Sequence, residues 1–190
     1  PVANTINVYF TEFLAIESGA ICGMSAFTYS PVQGIVMRNA CTATSSNHSS
    51  FAHELGHYFD LYHTHETAFG LACASGSNCT STGDKICDTP ADPGLTTSTV
   101  STSCLWIGTQ IGPCVGDGPY SPDARNIMSS SRPLCRDHFS AGQVSKGLAT
   151  LVNLRPELVN ACATPVCTGD VNDDQTVNIA DPLAVGAAWG

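Results

Sequence analysis

The sequence predicts an α/β domain in which a few short strands and two principal helices share the chain with a long, loop-rich stretch held by disulfides. Three observations carry that expectation: strand-like alternation near the N-terminus, apolar positions at helical spacing in two later segments, and ten cysteines spread over 190 residues. A chain of this length can bury one ordinary domain with a short appendage and is too short for two.

In Thr5 to Thr11, Ile6, Val8 and Phe10 alternate with polar or smaller neighbours, which is the period of a half-buried strand. A second apolar run, Gly34 to Met37, follows Pro31 and precedes Asn39, and reads as another short strand. Between Ser49 and Tyr62, Phe51, Leu55, Tyr58 and Phe59 recur at helical spacing behind a serine-rich cap region. Residues 64–135 hold six of the ten cysteines and are rich in Gly, Ser, Thr and Pro. That stretch lacks an apolar pattern able to hold it together without cross-links. Ser140 then caps a second helix, whose residues Val144, Leu148, Leu151 and Val152 are expected to form one core-packing stripe that ends before Pro156. After Cys162 to Cys167 the composition shifts again, so the expected organisation is a main domain over 1–160 and a tail over 168–190.

Charged residues make up 12% of the chain, and 16 acidic against 7 basic residues give a formal charge of −9. That balance argues against nucleic acid as a partner. No apolar run approaches the roughly 18 residues that a membrane span needs. No cysteine pair has the C-x2-C spacing of a zinc ribbon, so the even set reads as a disulfide framework formed in an oxidising compartment. Secretion is the expected localisation. The chain starts at Pro1 without a leader, which is expected of a processed or truncated form.

The chemistry concentrates at His53-Glu54-Leu55-Gly56-His57. Two imidazoles four residues apart share one helix face, the separation at which one tetrahedral zinc takes two ligands. Glu54 is rotated from His53 by about 100°, so it does not ligate the same ion easily but can reach a water beside it and take its proton. His63 lies ten positions after His53. On an unbroken helix that is about 15 Å along the axis, so His63 can share the metal only if the helix stops near Asp60. Asp is one of the few non-glycine residues that visit the left-handed conformation such a stop requires. If the helix ran on, Glu66 or, more weakly, His65 would compete as third ligand.

His53 to His63 resembles the extended zinc motif of the metzincin peptidases, and Asn126-Ile127-Met128-Ser129 resembles the methionine turn that lies under the metal in that clan. More narrowly, Leu61 to Thr64, Gly83 to Pro90, and Cys135 followed by Phe139 to Gln143 resemble the pappalysin family over about residues 6–154. The resemblance implies a mixed, twisted sheet, an active-site helix, zinc on His53, His57 and His63, Glu54 as general base, Met128 as structural support, and hydrolysis of a protein or peptide substrate. It also implies that the substrate lies along an edge strand, for which Gly34 to Met37 is the candidate.

Two departures from the family bear on the site. Asp60 stands where the family has Gly, at a cost of about 1 kcal/mol for a left-handed non-glycine residue. Ser130 stands where a tyrosine usually stabilises the transition-state oxyanion, leaving Ser130, a displaced tyrosine such as Tyr120, or no residue in that role. Some members prefer Lys or Arg after the scissile bond through an acidic group near the methionine. Leu134 precedes Cys135 here, with Asp137 nearby, so no strong basic preference is expected. Two rival readings are a secreted binding module with a zinc site but little or no turnover, and a zinc hydrolase acting on a non-peptide substrate.

Calcium is a second expected ion. The resemblance of Gly83 to Pro90 to a cation-binding stretch nominates Asp84, Asp88 and Thr89, against the alternative of a solvated turn. In the tail, Asp170, Asn172, Asp174, Asn178 and Asp181 fall at loop positions 1, 3, 5, 9 and 12, with the Thr176 carbonyl at position 7, which is calcium-loop spacing. That stretch resembles one dockerin repeat, weakened by Gln175 in place of Gly and Asp181 in place of Glu. A complete dockerin-like module would imply a scaffold partner.

Overall fold

A computed structural model describes residues 2–17, 19–42, 44 and 47–159. The tail with Asp170, Asn172, Asp174, Thr176 and Asp181, and the pair Cys162 and Cys167, lies outside these residues. Five short strands come first: β1 (Val8–Thr11), β2 (Ala15–Ile16), β3 (Gly19–Ala20), β4 (Gly23–Ser25) and β5 (Ile35–Arg38). Three helices follow: α1 (Ser50–Tyr58), α2 (Ala141–Leu154) and the short α3 (Pro156–Val159).

The main sheet has the order β1-β5-β4, with β1 parallel and β4 antiparallel to β5, so it is mixed. Ile35 and Met37 of β5 are fully buried and form one apolar cluster with Tyr58, which Ile6, Val8, Leu55 and Phe59 flank. This corrects the expectation that Gly34 to Met37 is the edge. The run is apolar because it is the central strand, and β4 is the edge strand beside α1. The N-terminal alternation holds only for Ile6 and Val8, since Phe10 is 62% exposed.

Ser140 caps α2 as expected, in a reciprocal box with Gln143. The buried face of α2 is not the expected stripe. Gln143, Gly147 and Thr150 face inward, one position out of phase, while Val144, Leu148 and Val152 are exposed. The period was legible but the phase was set by polar contacts: the Gln143 and Asn126 side chains exchange amide hydrogen bonds at 2.8 and 3.1 Å. Ser49 likewise sits at the N-cap of α1 without capping it, and its hydroxyl donates instead to the Pro133 carbonyl.

Between α1 and α2 the described chain has only isolated bridges. Cys73–Cys114, Cys79–Cys87 and Cys104–Cys135 cross-link this stretch, and Cys22–Cys41 ties the N-terminal part. A small second core of Leu95, Val100, Ala124 and Cys135 sits under the loops. The expected loop-rich, disulfide-stapled subdomain is therefore present.

Helix α1 ends in a Schellman turn. Asp60 takes φ 61°, Leu61 N–H donates to Gly56 O at 2.9 Å, and Asp60 N–H to His57 O at 2.9 Å. The Asp60 carboxylate accepts from both the backbone N–H and the hydroxyl of Thr28, at 2.9 and 2.6 Å, so the side chain joins the turn to the loop after β4, which a glycine could not do. Arg155, at the end of α2, seals the same corner. Its guanidinium donates to Tyr58 O at 2.8 Å, Gln33 Oε1 at 2.7 Å and Ala26 O at 3.2 Å, and stacks 3.5 Å over the Tyr58 ring. Tyr58 O is one of the carbonyls a helix end leaves without an internal partner.

Two predictions follow from this corner. Arg155→Met should cost about 2–4 kcal/mol by leaving buried carbonyls unpaired, read as a lower urea midpoint at unchanged slope. Asp60→Ala should cost about 2 kcal/mol, and Asp60→Gly roughly half of that because Gly removes the left-handed penalty while losing the Thr28 bonds. Equal losses in the two Asp60 variants would show that the side-chain bonds alone set the cost.

Candidate metal centre

Because α1 stops at Tyr58, the chain doubles back and brings His63 against the helix face that carries His53 and His57. The Nε2 atom of His63 lies 3.1 Å from Nε2 of both helical histidines. Their Nδ1 atoms are occupied elsewhere: His53 Nδ1–H donates to Ile127 O at 2.7 Å, and His57 Nδ1–H to Leu61 O at 2.8 Å. A carbonyl only accepts, so both rings carry their proton on Nδ1 and turn a bare Nε2 lone pair inward. Burial lowers the pKa of His53 to about 3, and also depresses those of His57 and His63, so all three are neutral near pH 7.

Converging lone pairs repel one another unless a cation sits between them, and three neutral imidazoles form a donor set suited to zinc. Among the described residues, one other group of three has metal-ligand proximity, Cys73, Cys114 and Asp117, but its two sulfurs are joined in a disulfide. Glu66 and His65, the competing third ligands, are not in the converging set. His65 instead stacks on His63 with centroids 4.8 Å apart.

Glu54 is 7% exposed, and burial raises its carboxyl to about pKa 7, opposed by the positive charge of Arg136. Edge strand β4 passes over it so closely that a Cβ on Gly23 would lie 2.5 Å from Glu54 Cγ and 2.8 Å from its Oε1. Sequence reasoning missed Gly23, because only the packing of β4 on α1 reveals that its hydrogen is required.

Met128 is fully buried in a cluster with Leu61, Ile86 and Ile127, against the helix that carries His53 and His57. Its sulfur fills the space where a Cβ on Gly56 would stand, which explains a glycine in mid-helix that otherwise costs about 1 kcal/mol. Asn126 holds the turn by accepting from Met128 N–H at 2.8 Å while its amide pairs with Gln143. Thus α2 positions the turn, and the turn carbonyl of Ile127 positions His53.

The remaining nominated residues are dispersed. Tyr120 donates its hydroxyl to Ala72 O at 3.2 Å in the loop subdomain, whereas Ser130 Oγ lies 3.4 Å from His65 Nε2. Asp137 pairs with Arg125 and His138, and Leu134 is 65% exposed. Asp84 and Thr89 bond each other at 2.8 Å, and burial raises Asp84 to about pKa 6. Asp88 instead accepts from Ser140 Oγ at 2.8 Å and Gly142 N–H at 2.7 Å, at the start of α2.

The family model Peptidase_M43, described as pregnancy-associated plasma protein-A, matches residues 4–152. An extracellular metalloprotease of Colletotrichum graminicola is 29% identical over 154 residues, which cover 74% of this chain and 47% of that protein. One from Podospora anserina is 28% identical, over 74% of this chain and 45% of its own length. The chain thus spans about half the length of these relatives. In fold it is similar to Tannerella forsythia mature mirolysin in complex with a cleaved peptide, with a TM-score of 0.56, 22% identity, and coverage of 80% of this chain and 55% of that one. With residues 4–152 matched, most of its length, the chain belongs to the pappalysin family of metallopeptidases, Peptidase_M43.

Proposed function

We propose that the protein is a secreted zinc endopeptidase in which His53, His57 and His63 hold the metal and Glu54 is the general base. The observation that carries this reading is the convergence of three Nε2 atoms beside a desolvated glutamate. Zinc, when bound there, supplies Lewis acidity that polarises a carbonyl and acidifies a neighbouring water. Glu54 accepts that water's proton and passes it to the leaving amine, a role suited to a carboxyl whose pKa burial has raised. The free side of β4 would take an extended peptide by backbone pairing, with Gly23 leaving room for Glu54 beneath it. Four disulfides among the described residues, and relatives named as extracellular, support secretion. Among the described residues no helix is long and apolar enough to cross a membrane.

Ser130, beside His65, is our candidate for the polar group that faces the oxyanion, in place of Tyr120. The absence of a tyrosine at position 130 is also what favours the second reading, a zinc-binding secreted module with weak or no turnover. Neither Leu134 nor the engaged Asp137 offers a free carboxylate to a basic substrate side chain, in keeping with no Lys or Arg preference. We assign residues 1–160 to the catalytic domain and 168–190 to a partial dockerin-like repeat with weak calcium affinity. Any calcium at Asp84, Asp88 and Thr89 would compete with their present protein hydrogen bonds.

Glu54→Gln should retain zinc while losing hydrolysis of a denatured protein by at least about a thousandfold, since it removes the base but not a ligand. His63→Ala should lose zinc by metal analysis, and unchanged zinc affinity would sink the third ligand. Parent and Glu54→Gln proteins equally inert toward peptides would favour the binding-module reading. Ending the chain after Thr168 should leave peptidase activity unchanged, and a large loss would place the tail in the catalytic unit.

A further inference from the structure

Arg136 follows Cys135 on the segment that leaves the methionine turn, and its guanidinium sits within electrostatic reach of Glu54, His53 and His63. Its one direct hydrogen bond in the described structure runs from Nη1–H to Ser129 O at 3.2 Å, and Ser129 adjoins Met128. Nε is shielded from solvent and has no partner. Glu54 acts on the group through space, but no carboxylate pairs with it in contact: the ion pairs among the described residues are Arg125–Asp137 and those of His138 with Asp123 and Asp137. The neighbouring Asp137 is thus committed to other cations.

A guanidinium has five donors in a planar fork matched to a carboxylate, and holding it partly desolvated without an anion is unfavourable. A structural tether to Ser129 O uses one donor and leaves the rest of the fork unexplained. With zinc in place, three neutral imidazoles, a dication, Glu54 and Arg136 leave the centre net positive, which favours an anionic group arriving with the substrate.

On the reading of the site as a zinc peptidase, we propose that Arg136 is a specificity residue that pairs with a substrate carboxylate next to the scissile bond. The carboxylate is either an Asp or Glu side chain or a free chain terminus just beyond the cut. This gives the protein a preference opposite in sign to one built on an acidic pocket.

The test uses quenched fluorescent peptides that differ only in Glu, Gln or Lys on either side of one scissile bond, each with a free or an amidated C-terminus. The zinc-loaded full chain is compared with Arg136→Gln and Arg136→Lys at matched zinc content. Glu should exceed Gln by about tenfold or more in kcat/KM, shrinking with added salt, and the ratio should fall to within about twofold in Arg136→Gln. Arg136→Lys should keep the sign of the preference at reduced size. If amidation rather than the side chain removes the advantage, the recognised group is the chain terminus. A Glu-to-Gln ratio near one in the parent with no effect of amidation, or an advantage unchanged in Arg136→Gln, would overturn the assignment while leaving the peptidase reading intact. Should the parent cleave nothing, that reading fails by itself. Fluorescence anisotropy of the same peptides on the zinc-loaded proteins then decides: tighter binding of the carboxylate peptides that is lost in Arg136→Gln supports the pairing, and equal binding refutes it.

Discussion

Two backbone carbonyls, those of Leu61 and Ile127, govern the whole histidine cluster that forms the candidate metal centre. Each accepts the Nδ1 proton of a helical histidine and so fixes both the tautomer and the ring plane. The Leu61 carbonyl reaches His57 only because the chain reverses at Asp60, and the same reversal delivers His63. The Ile127 carbonyl is held in place by the methionine turn, which hangs from α2 through the Asn126–Gln143 amide pair. A residue as remote as Gln143 therefore bears on a ring nitrogen at the centre, through a chain of directed bonds rather than through packing alone.

Glycine enforces the approach distances on both sides of α1. Gly56 admits the sulfur of Met128 from below, and Gly23 admits the Glu54 side chain from the edge strand above. The helix is thus wedged between turn and sheet, with apolar contacts of Leu55 and Tyr58 toward β5 supplying the adhesion. Arg155 and Asp60 close the corner where these parts meet, one through carbonyls and the other through Thr28.

Much of this was legible in the sequence, because local chemistry dictated it. The spacing of His53, Glu54 and His57 pointed to a helix, and His63 could join them only if that helix ended where an Asp could turn left-handed, with Glu66 or His65 as the alternative if it ran on. The cysteine-rich stretch announced its own cross-links, and Ser140 announced a cap. What could not be read depends on three-dimensional neighbours. The run Ile35 to Met37 is equally apolar in a central strand and in a covered edge, so the identity of the edge waits on pairing. The periodicity of α2 gave its helical repeat, but a Gln-Gly-Thr face won the interior because Gln143 had an amide partner and Gly147 lay beside Phe59. Arg136 and Gly23 carried no pattern at all; each matters through a residue more than thirty positions away in sequence, Glu54 for Arg136 and again Glu54 for Gly23.

The stapled loops between α1 and α2 bear on the molecule's survival among peptidases. A peptide must straighten into an extended strand over several residues before a cleft of this kind can pair with its backbone. Cys79–Cys87 closes a span of 8 residues, and Cys104–Cys135 and Cys73–Cys114 hold wider spans at both ends. Loops tied in this way resist the local opening that precedes cleavage, so a region with almost no helix or sheet is still a poor target for a peptidase.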